Sequence, residues 1–233
     1  MLSNSDKAVK IREGQSLKTD SLETFIRNAM ELPKAHMEVL QFPSGYSNLT
    51  YLLKFGKKEL VLRKPPQGVK IKSGHDMGRE FRILSGLHPI YNKVPQPFLF
   101  SDKLSIIGTP FYIMERMHGV IFRGHTPKDQ LPDLNQMRKL SEAFVNTLVE
   151  IHSFNYNAAG LENLGKPDGY VKRQIEGWTK RYIKAKTDEF KPLEKVYTWL
   201  NKNIPPEKRS AGLPAVAATS RSINIASFSR YSK

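Results

Sequence analysis

The sequence predicts an α+β fold in which a lobe of about five antiparallel strands and one helix precedes the beginning of a helical lobe. Three observations predict this order. Short runs rich in β-branched and aromatic residues fill residues 42–119, one helical repeat interrupts them, and helical apolar spacing dominates from Asp133 onwards. Hydrophobic residues make up 39% of the 233 residues, which is enough for a packed core.

A leading helix is predicted from about Ser21 to Leu32. Its apolar positions recur at helical spacing: Leu22, Phe25, Ile26, Ala29 and Met30. Asp20 followed by Glu23 predicts a capping box at the start of this helix.

The strands are predicted from β-rich runs that end at turn residues. Phe42 to Phe55 and Glu59 to Pro66, separated by a turn at Gly56 to Lys58, predict a meander of about three short strands. Lys93 to Phe100 and Thr109 to Gly119 predict two more. Between these groups lies a predicted helix, whose apolar residues are Met77, Phe81, Leu84 and Leu87.

The second half predicts helices. One long apolar stripe is formed by Met137, Leu140, Phe144, Leu148 and Ile151. Further helices are predicted around Tyr170 to Lys186 and Leu193 to Asn201. We therefore predict three parts: residues 1–117 as the first lobe with its leading helix, 118–209 as the start of the helical lobe, and 210–233 as an aberrant tail. The tail is rich in Ala and Ser and has no acidic residue, which predicts disorder.

The formal net charge of +15 needs a partner or a solvated surface to explain it. Lysine and arginine are spread from Lys7 to Lys233 without a dense block, which argues against nucleic acid and anionic membranes as partners. The absence of cysteine excludes disulfides and cysteine metal sites. No long apolar run and no apolar leader occur, so we predict a cytoplasmic protein with no membrane partner.

A glycine-containing turn is the first candidate for ligand binding. It comprises Ser44, Gly45, Tyr46, Ser47 and Asn48. Small residues let backbone N–H groups approach a phosphate, and hydroxyl and amide groups can donate to its oxygens. The alternative is an ordinary hairpin turn.

Strand alternation places Val61 and Arg63 on one face of the third strand, with Leu60 and Leu62 on the other. Val61 could then cover a flat aromatic ring, and Arg63 could reach its phosphates. Glu80 lies at the edge of the apolar stripe of the inserted helix and requires a cationic partner, for which Arg63 is the candidate. The alternative is a chance pair of surface charges.

A polar break at Glu115 to Gly119 follows a buried strand, and its backbone could pair with adenine, or it could simply be an edge strand entering a loop. We interpret His152 as a hydrogen-bonded core residue rather than a catalytic one. Trp178, Arg181 and Tyr182 share a helical face, which favours packing against another element over substrate binding.

Each of these signals is weak, but their order resembles a known family. GYSNLTYLL, LVLRKPP, GREFRIL and GTPFYIMERMHG are similar, in order and spacing, to the aminoglycoside phosphotransferase-like family, and most of all to the kinase part of bifunctional acyl-CoA dehydrogenase family proteins. The resemblance covers roughly Asp20 to Arg209. It implies a protein-kinase-like first lobe and ATP-dependent phosphorylation of a hydroxyl on a small molecule.

The resemblance also implies roles for the candidate residues. Ser44 to Thr50 would cover the phosphates, Arg63 would be the phosphate-binding cation and Glu80 its partner. Glu115 to Met117 would form the adenine hinge, with Glu115 and Met117 as binding residues.

The family continues with a histidine-containing loop whose aspartate positions the acceptor and whose asparagine binds magnesium, followed by a second metal-binding aspartate. Here no histidine follows His152 and no aspartate follows Asp188. We therefore expect a chain truncated before its catalytic loop, with no catalytic or metal-binding residues, which binds ATP weakly and is inactive alone. Magnesium and the hydroxyl acceptor would belong to the full-length relative.

Without the helices that follow in the family, Phe144, Leu148 and Trp178 are expected to stay exposed. The alternative function is a non-catalytic half-kinase or basic module that engages a protein or nucleic-acid partner.

Overall fold

The computed structural model describes residues 7–43, 48–66, 76–122, 126–164 and 169–206. Its strands are β1 (Met37–Gln41), β2 (Leu49–Phe55), β3 (Lys58–Lys64), β4 (Pro97–Ser101) and β5 (Phe111–Glu115). Its helices are α1 (Thr19–Ala29), α2 (Met77–Leu87), α3 (Leu104–Ile107), α4 (Leu134–Ser153), α5 (Tyr170–Ala185) and α6 (Lys191–Lys202). The predicted α+β class and the predicted five-stranded antiparallel sheet are confirmed.

The strands lie in the order β1-β2-β3-β5-β4, and all neighbours are antiparallel. Alternating side chains on one face of the sheet meet α1. This core contains Leu22 and Ile26 from the helix together with sheet residues such as Leu53, Leu60 and Leu62. The predicted orientation of Leu60 and Leu62 is thus confirmed, and Val61 and Arg63 lie on the opposite face.

The helix α2 packs against that opposite face. It begins and ends where the apolar spacing predicts, and the side chain of Asp76 caps it by accepting from the Arg79 N–H at 2.9 Å. Phe81 stacks on Phe100 of β4, with ring centroids 5.8 Å apart. This packing holds Glu80 near the middle of the sheet.

The helical lobe, α4 to α6, is less covered. A capping box of Asp133 and Gln136 starts α4, and Ile151 is its buried residue. The side chains of Phe144, Leu148 and Trp178 are 45%, 38% and 63% exposed, which confirms the expectation of uncovered apolar surface. The same exposure shows that the predicted packing of Trp178 against another element is wrong. Its ring is instead contacted by Arg181 of the same helix, whose Cζ lies 4.8 Å from the ring centroid.

The capping box predicted at the first helix is also wrong. The helix α1 begins earlier, with Lys18 at the N-cap and no side-chain cap, so Asp20 lies inside the first turn. Glu23 instead accepts from Arg27 Nη2 at 2.7 Å and from the Met37 N–H at 3.4 Å. The carboxylate therefore links α1 to β1 and is not available to the N-terminal backbone.

The strand β1 precedes the β-rich run that was predicted to start at Phe42. The sequence pattern missed this strand because some of its buried positions are polar. Gln41 is 1% exposed, and its side chain accepts a hydrogen bond from the Arg12 N–H at 3.0 Å. The short helix α3 was not predicted. Within the described residues, no helix is both long and apolar enough to cross a bilayer. The predicted tail, residues 210–233, lies outside the described residues.

Candidate functional site

The strand register aligns an apolar row across the α2-facing side of the sheet. Leu40 of β1 lies opposite Leu52, Leu52 lies opposite Val61, and Val61 lies opposite Met114 of β5. Leu52 and Val61 are 6% and 5% exposed. Four strands thus contribute one continuous hydrophobic strip, with the predicted residue Val61 near its middle.

A polar row lies beside this strip, two residues further along each strand. Arg63 lies opposite Thr50 on one side and Tyr112 on the other. Two residues along a strand correspond to about 7 Å, so the backbone positions of the polar row lie roughly that far from those of the apolar strip. A flat apolar group and an anionic group of one ligand could therefore contact neighbouring rows.

The carboxylate of Glu80 reaches the polar row from α2. Together with Asn48, Arg63 and Tyr112 it forms the Glu80 cluster. Its Oε1 accepts from Asn48 Nδ2 at 2.9 Å, and its Oε2 accepts from the Tyr112 hydroxyl at 2.9 Å. Arg63 Nη2 lies 3.6 Å from the same Oε2, with the two side chains 11% and 12% exposed. The structure thus brings together the strand cation and helix carboxylate that the sequence predicted, although their role toward a nucleotide remains a prediction.

Two residues of this cluster differ from expectation. Asn48, predicted as a phosphate contact, is 4% exposed and donates to Glu80. Tyr112 was not predicted at all, and burial, foremost, raises the pKa of its hydroxyl, which therefore stays protonated as a donor. Only the pairing of β5 beside β3 could have revealed it. The other turn residues, Ser44, Gly45, Tyr46 and Ser47, lie outside the described residues.

The predicted hinge begins at Glu115, the last residue of β5, and is already hydrogen-bonded within the protein. The Glu115 N–H donates to the Gln96 carbonyl at 2.7 Å, and Glu115 Oε2 accepts from the Gln96 N–H at 3.2 Å. The Met117 carbonyl accepts from Arg116 Nη1 at 3.1 Å, and the guanidinium of Arg116 lies 4.7 Å from the centroid of the Phe42 ring. These contacts fix the hinge backbone at the end of the apolar strip.

A row of charged side chains lies along the other side of the strip. Lys54 Nζ lies 3.4 Å from Glu38 Oε2, and His118 Nε2 lies 3.4 Å from Glu59 Oε2. The sheet face is therefore apolar between two polar rows, of which only the Arg63 row includes a residue of α2. His152 is exposed at the end of α4, so its predicted place in the core is wrong.

A cavity of about 410 Å³ lies on the far side of α2. Its lining residues are Arg82, Ser85, Gly86, Ala159, Gly160, Asn163 and Leu164. None of them belongs to the apolar strip or the Glu80 cluster, so the cavity and the candidate site are separate. In the part of the chain that the structure describes, no three His, Asp or Glu side chains lie together as possible metal ligands.

A five-stranded antiparallel sheet, a helix whose glutamate meets a strand cation, and a following helical lobe together define a protein-kinase-like phosphotransferase fold. The family model for the phosphotransferase enzyme family matches residues 38–215. The chain therefore belongs to the phosphotransferase enzyme family.

Individual relatives agree with this assignment. Acyl-CoA dehydrogenase family member 10 from Mus musculus is 34% identical over 203 residues, which is 86% of this chain but 19% of that protein. A crystal structure from Ralstonia eutropha, assigned as an aminoglycoside phosphotransferase, is 28% identical with a TM-score of 0.65, covering 84% of this chain and 56% of that chain. The GDP and kanamycin complex of APH(2")-IIia shares the fold, with 15% identity and a TM-score of 0.50 over 79% of this chain and 59% of that one.

Proposed function

We propose that this chain is the nucleotide-binding part of a kinase that phosphorylates a hydroxyl of a small molecule, and that its nucleotide is ATP. The observation that carries the proposal is the Arg63–Glu80 pair at 3.6 Å beside an apolar strip. Family membership supports phosphoryl transfer as the chemistry, and the APH(2")-IIia complex holds a purine nucleotide in the same fold.

In this proposal the base lies along the strip formed by Leu40, Leu52, Val61 and Met114. The hinge from Glu115 to Met117 borders the base, and Arg63 binds the phosphates. Glu80, held by Asn48 and Tyr112, keeps the guanidinium directed along the sheet. A fixed cation matters because charge-assisted contacts to phosphate are strongest when the donor geometry is already set.

We further propose that these 233 residues bind ATP without transferring its phosphate. Phosphoryl transfer depends on metal ions and on a carboxylate that orients the acceptor. No aspartate follows Asp188 and no histidine follows His152, and Asp168 has no asparagine at the spacing that the family resemblance implies. Magnesium would bind with residues that this chain does not supply, and binding of ATP would be correspondingly weak.

The test compares ATP binding by the parent chain, Arg63→Ala and the control Arg82→Ala. Arg82 is an exposed arginine of α2, about 200° around the helix from Glu80. Losing a charge-assisted phosphate contact costs about 1.5–3 kcal/mol, so Arg63→Ala should weaken ATP binding about ten- to a hundredfold while the control changes it little. Equal affinities for the parent and Arg63→Ala would show that ATP does not bind at this site.

Turnover is tested separately, by ATP consumption with magnesium across hydroxylated metabolites and hydroxyacyl-CoAs. We expect no acceptor-dependent rate. Turnover that Arg63→Ala abolishes would mean that the chain contains a complete active site, contrary to the proposal.

A second candidate is a non-catalytic basic module that uses the net charge of +15 to bind a protein or a nucleic acid, although the spread of the basic residues argues against nucleic acid. This alternative predicts a mobility shift of DNA or RNA that falls steeply with salt and that ATP does not change. Such a shift without measurable ATP binding would favour the second candidate over the first.

A further inference from the structure

The end of α2 is connected to the helical lobe by a three-residue polar cluster. Glu150 of α4 accepts from Lys93 Nζ at 2.6 and 2.9 Å, one contact to each carboxylate oxygen. The same carboxylate accepts from the Tyr91 hydroxyl at 2.9 Å. Lys93 and Tyr91 belong to the segment between α2 and β4, so Glu150 joins elements that are far apart in the sequence.

The backbone connects this cluster to α2. The Tyr91 N–H donates to the Leu87 carbonyl, the last residue of the helix, at 2.8 Å. Tyr91 is 9% exposed, and its ring meets the Phe154 ring edge-on, with centroids 4.9 Å apart. A movement of α4 would therefore be transmitted to the carboxyl end of α2 through a hydrogen bond and a ring contact.

A second contact holds the same end of α2. A Cβ built on Gly86 would lie 2.5 Å from the Ala159 carbonyl oxygen and 2.6 Å from Leu161 Cδ2, so the helix and the turn after α4 touch at their backbones. Leu161 and Ile151 also share a buried cluster with Leu84 and Leu87. The polar and apolar contacts agree that the helical lobe forms one wall for α2.

Glu80 lies on the same side of α2 as Leu84 and Leu87, one and two turns before them, and it meets Tyr112 of the sheet at 2.9 Å. The helix thus contacts the sheet through Glu80 and the helical lobe near its carboxyl end. Its position relative to Arg63 depends on both contacts, because a helix moves largely as a rigid unit.

We propose that Glu150 is a positioning residue: through Tyr91 and Lys93 it fixes α2, and with it Glu80, against the sheet. Its consequence for ATP binding rests on the proposed function, whereas its consequence for α2 does not. Among the described residues, the hydrogen bonds of Glu150 go to Lys93 and Tyr91 and not to the apolar strip or the Glu80 cluster, so its effect on that site is indirect, and protection of α2 reports the route proposed here.

The ionised state of Glu150 is the state that this cluster holds. The hydrogen bond from Lys93, foremost, keeps the pKa of Glu150 below its ordinary value, with help from Tyr91 and the charge of Lys93, while burial opposes them. A lowered pKa in the folded state means that the stabilisation is fully present above the ordinary value of 4.5 and is lost as the pH falls through the folded value. The groups that face Glu150 from the neighbouring segment are Lys93 and Tyr91.

The experiment measures hydrogen-exchange protection of the α2 amides, residues 77–87, in the full chain. Glu150→Gln removes the charge with little change of shape. Glu142→Gln is the matched control, because Glu142 lies on the same helix and its ion pair with Arg138 is solvent-exposed. The Glu150 side chain is 42% exposed, so we expect a loss of protection of about three- to tenfold rather than the larger loss of a buried pair, and no loss in the control.

Three readouts separate positioning from a general loss of stability. The difference in protection between parent and Glu150→Gln should disappear as the pH falls below 4.5, while the control shows no difference at any pH. Lys93→Gln should reproduce the loss, and the double variant should lose less than the sum of the two single variants. Additive losses, or protection of α2 that Glu150→Gln leaves unchanged, would overturn the proposal.

Binding of ATP is measured on the same variants, and Glu150→Gln should weaken it about threefold or more. If Arg63→Ala leaves ATP binding unchanged, the proposed function fails, but the protection of α2 still decides the role of Glu150. If α2 loses protection while ATP affinity stays at the parent value and Arg63→Ala lowers it, the connection from Glu150 to the site is refuted.

Discussion

Removing the hydroxyl of Tyr112 tests how the carboxylate at the centre of the site is held. The hydroxyl donates to Glu80 Oε2 at 2.9 Å, with Tyr112 2% exposed and the Glu80 side chain 12% exposed. A hydrogen bond to a charged acceptor of this burial contributes about 1.5–3 kcal/mol. We expect Tyr112→Phe to lower the free energy of unfolding by that amount at neutral pH.

The sheet offers a matched control on its other face. Tyr51 is fully buried, and its hydroxyl donates to the neutral Gln15 carbonyl at 2.8 Å. Burial raises the pKa of Tyr51 to about 12 and raises that of Tyr112 as well, so both hydroxyls are protonated donors throughout the assay. Because its acceptor is uncharged, Tyr51→Phe should cost only about 0.5–1.5 kcal/mol.

The assay must report on the sheet. Both tryptophans, Trp178 and Trp199, lie in α5 and α6, so indole fluorescence follows the helical lobe instead. Urea unfolding monitored by hydrogen exchange of β3 and β5 amides gives the required free energy. A cost for Tyr112→Phe no larger than that for Tyr51→Phe would refute the view that Glu80 depends on this donor.

Three further predictions concern other parts of the chain. Two glycine variants should change the free energy of unfolding, measured by thermal unfolding, in opposite directions. Gly86→Ala should lower it by about 1–3 kcal/mol, because the new Cβ would lie 2.5 Å from a carbonyl oxygen. Gly177→Ala should raise it by about 0.5–1 kcal/mol, because its Cβ would meet nothing within 4 Å. Burial lowers the pKa of Lys64, which means that the charged side chain destabilises the folded state. Urea unfolding should therefore show that Lys64→Met is more stable than the parent at pH 7, and this difference in the free energy of unfolding should shrink toward pH 10.5. Trp178, 63% exposed, should be quenched by acrylamide almost as readily as a free indole, and strong protection would contradict the uncovered helical face.

Local chemistry accounts for what the sequence predicted well. The helix from Met77 to Leu87 was placed correctly because its apolar period and a polar cap agree. Strand parity alone placed Val61 and Arg63 on one face, and the charge of Glu80 near an apolar stripe indicated its partner. These inferences need only neighbours within one element or one charge that requires compensation.

The missed features depend on contacts between distant segments. Tyr112 is part of the site because β5 pairs with β3 as well as with β4. No local pattern in the β5 sequence FYIME indicates that pairing. Asn48 was expected to point toward a ligand, yet its amide is used by Glu80, 32 residues away. Glu23 did not cap α1 because Arg27 and the start of β1 compete for its carboxylate.

The candidate site and the core between the two lobes share Tyr112 and Met114, which explains why they should respond together. The ring of Tyr112 is buried in the cluster that contains Ile151 and Leu161, while its hydroxyl reaches Glu80. A perturbation of the helical lobe can therefore reach Glu80 by two routes: through the packing around Tyr112, and through Glu150 and the end of α2. The two routes differ in pH dependence, because only the second contains a carboxylate held by Lys93, so titration of the coupling separates them.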